Sequence, residues 1–185
     1  MVPRPAAEIH RAAAARAFLI ANALKPRLEE SFDDLQERSS AEFTHFASGE
    51  FALSHLGRHD PVRATRYNTL SWTPVRVALA DVLVLPGMCG LPTSWTLGSA
   101  SYVAKVLSNV ALPPRAARVA RLLRLADEVG AERAIAWMTI LPLLCIPSRH
   151  AGHSDAAPWL FDDGCVRSVV LASLGVTHAL MYAGT

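Results

Sequence analysis

The stretch Trp159-Leu160-Phe161-Asp162-Asp163-Gly164-Cys165-Val166-Arg167-Ser168-Val169-Val170-Leu171-Ala172-Ser173-Leu174-Gly175 decides the fold. Trp159–Phe161 reads as a short strand and Asp162–Cys165 as a turn. Val166–Leu174 reads as a helix of about nine residues closed by Gly175, a residue suited to the left-handed C-terminal position. Val176–Tyr182 reads as a final strand. A strand, a tight turn and a helix in this order form an anion site. Gly164 permits the turn, and the N–H groups of Cys165–Ser168 open at the positive end of the helix dipole. Arg167 in the first turn adds a charged donor suited to phosphate. Asp162 and Asp163 are the residue type that holds a divalent metal beside a phosphate.

Upstream of this unit the pattern is mostly helical. Residues 6–24 read as a helix because they are alanine-rich, with Ile9, Ala13, Phe18 and Ala21 at helical spacing. Pro26 should end it. A second helix is expected after Ser31, and a third from Ser40 toward His55. Residues 57–74, with Gly57, Pro61, Asn68 and Pro74, read as a loop. Val82–Leu85 leans to strand before Pro86-Gly87, and residues 88–96 read as loop. Ser99–Val110 reads as a helix. Pro113-Pro114 opens another that stops at Gly130, and Ala131–Leu141 is a short apolar helix ended by Pro142. Residues 147–158 read as loop. The expectation is one α+β domain over 1–185. Its helical region covers about 1–145, and a strand-turn-helix-strand phosphate-binding unit covers about 159–185.

The chain has 185 residues, of which 51% are apolar and 18% charged, so it can bury a core and is no disordered tail. The net charge of +2 hides an uneven distribution. Residues 1–81 are neutral; residues 82–126 carry Lys105, Arg115, Arg118, Arg121 and Arg124 with no acid; residues 127–185 are net acidic. A basic middle hints at an anionic partner. Arg115, Arg118, Arg121 and Arg124 recur every three residues, which makes a broad basic face on a helix. They are the candidate DNA-binding residues, through salt-dependent phosphate contact; a plain solvated face is the competing reading.

Cys89, Cys145 and Cys165 show no paired spacing, so a disulfide framework or zinc ribbon is not expected and a reducing compartment is. The apolar run Ala134–Ile146, about 13 residues with Pro142 inside it, is too short to span a bilayer. A bacterial cytoplasmic chain without membrane insertion is expected.

The pattern Asp163-Gly164-x-x-Arg167, six residues, then Leu174-Gly175, resembles the signature of the ParB/sulfiredoxin superfamily. Its sulfiredoxins read Gly-Cys-His-Arg where this chain has Gly164-Cys165-Val166-Arg167; its partitioning ParB proteins read Gly-Glu-Arg-Arg, and its ParB-like nucleases usually Asp-Gly-His-His-Arg. The resemblance covers Trp159–Tyr182, and Val166 departs from it where a His or Arg is usual. It implies a mixed α/β core with a large additional helical region. It implies a nucleotide-binding loop of Gly164, Cys165, Arg167 and Ser168, with ATP as substrate. It implies ATPase and DNase activity, with Asp163 and Arg167 catalytic. A divalent metal, Mg, is expected on the carboxylates of Asp162 and Asp163, with His150 from the preceding loop. In layout the chain is similar to fertility-inhibition proteins of the Osa kind, encoded on conjugative plasmids. That similarity implies suppression of DNA transfer at a type IV secretion system, with secretion or coupling proteins as partners.

Two alternatives stand beside this reading. One is a non-catalytic inhibitor that binds DNA or a secretion or partition complex through the basic helix. The other is a sulfiredoxin-like reductase using Cys165, whose thiol would acidify at a helix N-terminus. Glu42-x-x-His45 supplies one of the two Glu-x-x-His pairs that a four-helix diiron protein needs, with Glu50, His55 and His59 following. His150, His153 and Asp155 could join Asp162 and Asp163 at a metal, or be solvated loop. Trp72, Trp95, Trp137 and Trp159 suit a core.

Overall fold

The computed structural model describes residues 10–25, 30–85, 90–96, 98–148 and 159–185. The protein is α+β and helix-rich. The order is α1 (Arg11–Ala23), α2 (Phe32–His45), α3 (Gly49–His59), α4 (Pro61–Thr69), β1 (Trp72–Ala78), β2 (Val82–Leu83), α5 (Thr93–Thr96) and α6 (Ala100–Leu107). A 3-10 turn over Pro114–Ala116 leads into α7 (Ala117–Val129) and α8 (Ala131–Met138), followed by β3 (Leu143–Pro147), β4 (Trp159–Asp163), α9 (Cys165–Ser173) and β5 (His178–Gly184).

Local chemistry accounts for most boundaries. Ser31 caps α2 in a capping box with Asp34, each side chain accepting from the other's backbone N–H. Ser48, Asp60 and Ser99 accept from the first turns of α3, α4 and α6. Gly130, at φ +86°, separates α7 from α8.

The five strands form one mixed sheet in the order β1-β5-β3-β4-β2. β1 pairs antiparallel with β5 from Trp72↔Gly184 to Ala78↔His178. β3 sits at the centre, parallel to β5 and antiparallel to β4. The strand–Gly164–helix–strand unit is therefore present, but its two strands run antiparallel to each other with β3 between them. The sheet lies between two helical layers. Leu143, Cys145, Phe161 and Met181 face a core with Val103, Val119, Leu122, Val169 and Val170, from α6, α7 and α9. Leu144, Ile146, Leu160 and Trp72 face Ala14, Phe18, Leu56 and Tyr67, from α1, α3 and α4. Burial on both faces explains why β3 is apolar at every position.

Several expectations change. α2 runs on to His45, so Ser40 lies inside it and the next helix starts at Gly49. Residues 57–74 are not a loop. Asp60 caps α4 with Pro61 at its first position, and Pro74 lies in β1, an edge strand where a missing N–H is tolerated. β3 was hidden in an apolar run that periodicity does not separate from helix. The turn before α9 is narrower than Asp162–Cys165, because both aspartates belong to β4 and Cys165 is already helical. The region 1–145 contributes β1, β2 and most of β3 to the same sheet as the terminal unit. Among the described residues no helix is long and apolar enough to cross a membrane.

Candidate functional site

The sheet ends β4 at Asp163, and Gly164 turns the chain into α9 at φ +90°. A side chain there would be strained, and a Cβ would collide with Leu143 Cδ2. Gly164 has no side chain to offer, so the first turn of α9 has no side-chain cap. That turn forms one wall of a cavity of about 120 Å³. Asp163–Arg167 make this wall, Leu24 and Lys25 follow α1, Arg118 and Leu122 come from α7, and Trp137 and Leu141 come from α8 and the turn after it. The walls are mainly apolar. Arg118 is exposed and has no ion-pair or hydrogen-bond partner among the described residues. The Lys25 ammonium donates to Asn22 Oδ1. Two motifs far apart in sequence, the basic helix and the Asp-Gly turn, thus meet at one cavity.

Arg167 is turned inward. Its Nη1 donates to Met138 O (3.2 Å) and Leu141 O (2.9 Å), and its Nη2 to Asp163 Oδ2 (3.3 Å). Burial lowers the pKa of this guanidinium, and the Asp163 carboxylate opposes that shift. Its three contacts fasten α9 to the carbonyls that end α8, and they satisfy Asp163. Ser168 is also committed: its N–H donates to Gly164 O (2.8 Å) and its hydroxyl to Cys165 O (2.7 Å). Cys165 is buried at the cavity wall.

Asp162 points the other way, as alternation along a strand requires. Its carboxylate accepts from Arg66 Nη1 (2.5 Å) and Tyr67 Oη (2.5 Å), and Arg63 Nε lies 3.3 Å away. Arg63 also stacks on Phe18 and donates to Asp60. Burial, reinforced by Asp162, pushes the Tyr67 hydroxyl well above its ordinary pKa. Asp162 and Asp163 are therefore on opposite faces of the sheet, each already paired with arginine. They do not fit a shared divalent metal. Among the described residues no group of three or more His, Cys, Asp or Glu side chains is arranged to hold a metal. His150, His153, Asp155 and Cys89 lie outside the described residues.

No family model matches the chain, and neither a curated protein nor a solved structure matches it significantly.

The basic helix is divided. Arg115, Arg118 and Arg124 are exposed, but Arg121 is buried, donating to Glu30 O and to Glu128 Oε1 (3.3 Å). Arg121 therefore leaves the expected DNA-binding face and ties α7 to the start of α2. Sequence reasoning missed Arg63, Arg66 and Tyr67, because they fall in the segment read as a loop. An Asp-Pro pair at 60–61, with Arg63, Arg66 and Tyr67 at helical spacing, was the signal available.

Proposed function

We propose that this protein binds a nucleotide, with a phosphoryl group held at the start of α9 and by Arg118. The observation that carries this is the convergence of Arg118 with the first turn of α9 at one cavity. An uncapped helix start favours an anion, and beside it a guanidinium without a partner among the described residues adds charge-assisted donors. The apolar walls at Leu122, Trp137 and Leu141 suit a ring. At about 120 Å³ the cavity is smaller than the about 150 Å³ that holds a benzene, so it takes only part of a nucleotide and leaves the rest at its mouth.

The ParB/sulfiredoxin resemblance adds ATP hydrolysis, DNA cleavage and control of conjugative or type IV secretion transfer to this reading. The engagement of Asp163 with Arg167, and of Arg167 with two carbonyls, favours the second reading: binding without turnover. In either case Arg167 positions the cavity wall, and Arg115, Arg118 and Arg124 offer phosphate-backbone contacts to DNA. A reductase role for Cys165 would need its buried thiol to reach a substrate through the cavity.

The test is thermal stabilisation by ATP, ADP and inorganic phosphate. A ligand that binds the folded state raises its stability by mass action. Stabilisation that Arg118→Gln weakens tenfold or more in apparent affinity supports the site. Equal stabilisation of both proteins, or none, overturns it. ATP turnover in the same samples separates the enzyme from the binder.

A further inference from the structure

On the α1/α3/α4 side of the sheet, α3 presents His55 and His59 one helical turn apart. Their rings are 4.3 Å apart between centroids and tilted 36°. His55 is half-buried and His59 exposed. Phe46 meets the His55 ring edge-on at 5.5 Å, and Phe51 lies at 6.0 Å, so the inner imidazole is held between aromatic rings.

From this pair we infer that His55 and His59 form a two-imidazole site for a divalent transition metal. Histidines four apart on a helix are the spacing that lets one ion take a nitrogen from each. A neutral imidazole is the metal-binding form. A zinc ion takes imidazole nitrogens at ~2.0–2.1 Å, and the two rings already lie 4.3 Å apart between centroids. Among the described residues no third His, Cys, Asp or Glu completes the site, so water fills the remaining positions. Imidazole ligands and open positions select Cu(II), Ni(II) or Zn(II) over Mg(II) or Ca(II), with Cu(II) tightest. This inference is independent of the nucleotide site, which lies around α7, α8 and α9.

The experiment titrates the full chain with Cu(II), followed by electron paramagnetic resonance, and with Ni(II), followed by thermal unfolding. Nitrogen coupling from two imidazoles on one copper is expected. His59→Gln should lower the affinity at least tenfold, leave one coupled imidazole and abolish the Ni(II)-dependent rise in Tm. His55→Gln provides the second test, and circular dichroism of the metal-free variants checks that each is folded. His153→Gln controls for the other histidine-rich stretch. Unchanged copper spectra in both α3 variants, or loss of binding in His153→Gln alone, overturn the assignment.

Discussion

Asp162 and Asp163 are neighbours in sequence, yet their carboxylates lie on opposite faces of the sheet. Asp162 is bound by Arg66 and Tyr67 of α4, and Asp163 by Arg167 of α9. The Asp-Asp pair is therefore a rivet through the central layer, joining a helix on each side. Its position at the end of β4 explains how two acids are tolerated there: each meets an arginine before it is buried.

Asp162→Asn should destabilise the protein strongly. The substitution leaves Arg63 and Arg66 facing a neutral amide and takes the charge from the acceptor of Tyr67. Breaking one side of a buried ion pair costs about 3–5 kcal/mol. Because Arg66 is partly exposed, the lower end is expected, read as a fall in urea midpoint. Tyr67→Phe should cost about 1.5–3 kcal/mol through its hydrogen bond to a charged group. In the double variant the two losses should be less than additive, because the residues share one contact.

Arg167→Ala should unfold or severely weaken the protein. Two carbonyls at the end of α8 and the Asp163 carboxylate would lose their donor inside the protein. The expected loss is about 3 kcal/mol or more. Arg167→Lys should recover only part of it, since an ammonium cannot reproduce the planar fork that reaches all three acceptors. A stable Arg167→Ala variant with a normal denaturation midpoint would show that these contacts contribute little.

Gly164→Ala and Gly175→Ala separate strain from collision. Both glycines have positive φ, +90° and +85°. A Cβ at position 164 meets the Leu143 side chain, whereas position 175 faces open space. Left-handed backbone costs a non-glycine residue about 1–2 kcal/mol, and overpacking adds about 1–3 kcal/mol. Gly164→Ala should therefore cost about 1–3 kcal/mol more than Gly175→Ala in denaturant unfolding. Equal losses would show that Leu143 moves aside freely.

The terminal unit was legible in the sequence because its signals are local. A glycine between a short apolar strand and a β-branched helix, and a second glycine closing that helix, suffice to place β4, α9 and β5. The capped start of α2, the proline-opened path into α7 and the stop at Gly130 were legible for the same reason. α4 was not, because Pro61 and Asn68 carry turn signals that its Asp60 cap and burial of Tyr67 outweigh. β3 was not, because a strand buried on both faces has no period. The site was only half legible. Arg118 and the Asp-Gly turn could each be singled out, but their meeting depends on how α7 packs on α9. The inward turns of Arg121 and Arg167 are set by carbonyls and acids distant in sequence, which spacing does not reveal.

Alkali should destabilise the fold through two buried acids. Tyr67 ionises near pH 10 when unfolded but far less readily when folded, and burial raises the Cys145 thiol to about 12. Folded-state pKa values above the unfolded ones mean that the folded state retains protons which the unfolded state releases. The associated stability is complete below about pH 8.5. It falls as the pH rises through the unfolded thiol value and then the unfolded phenol value. Denaturant unfolding between pH 8 and pH 11 should show a falling midpoint, and Tyr67→Phe should flatten the upper part of that fall. A midpoint independent of pH would show that neither group is protected.

Arg118, Arg121 and Arg124 should respond to substitution in three different ways, although they share one helix. Arg121→Gln removes the donor to Glu30 O and the contact with Glu128, and should lower stability by about 1.5–3 kcal/mol, the worth of a hydrogen bond made by a charged group. Arg124 is exposed and absent from the cavity wall. Arg124→Gln should leave stability and phosphate binding unchanged while weakening retention on DNA. If it contacts one phosphate, the slope of log affinity against log salt should fall by about 0.9. Arg118→Gln should reduce both phosphate and DNA binding, because Arg118 is both exposed and at the cavity. Filter binding at several salt concentrations, beside thermal shifts with inorganic phosphate, measures all three. Identical behaviour of the Arg118 and Arg124 variants toward phosphate would remove Arg118 from the cavity's chemistry.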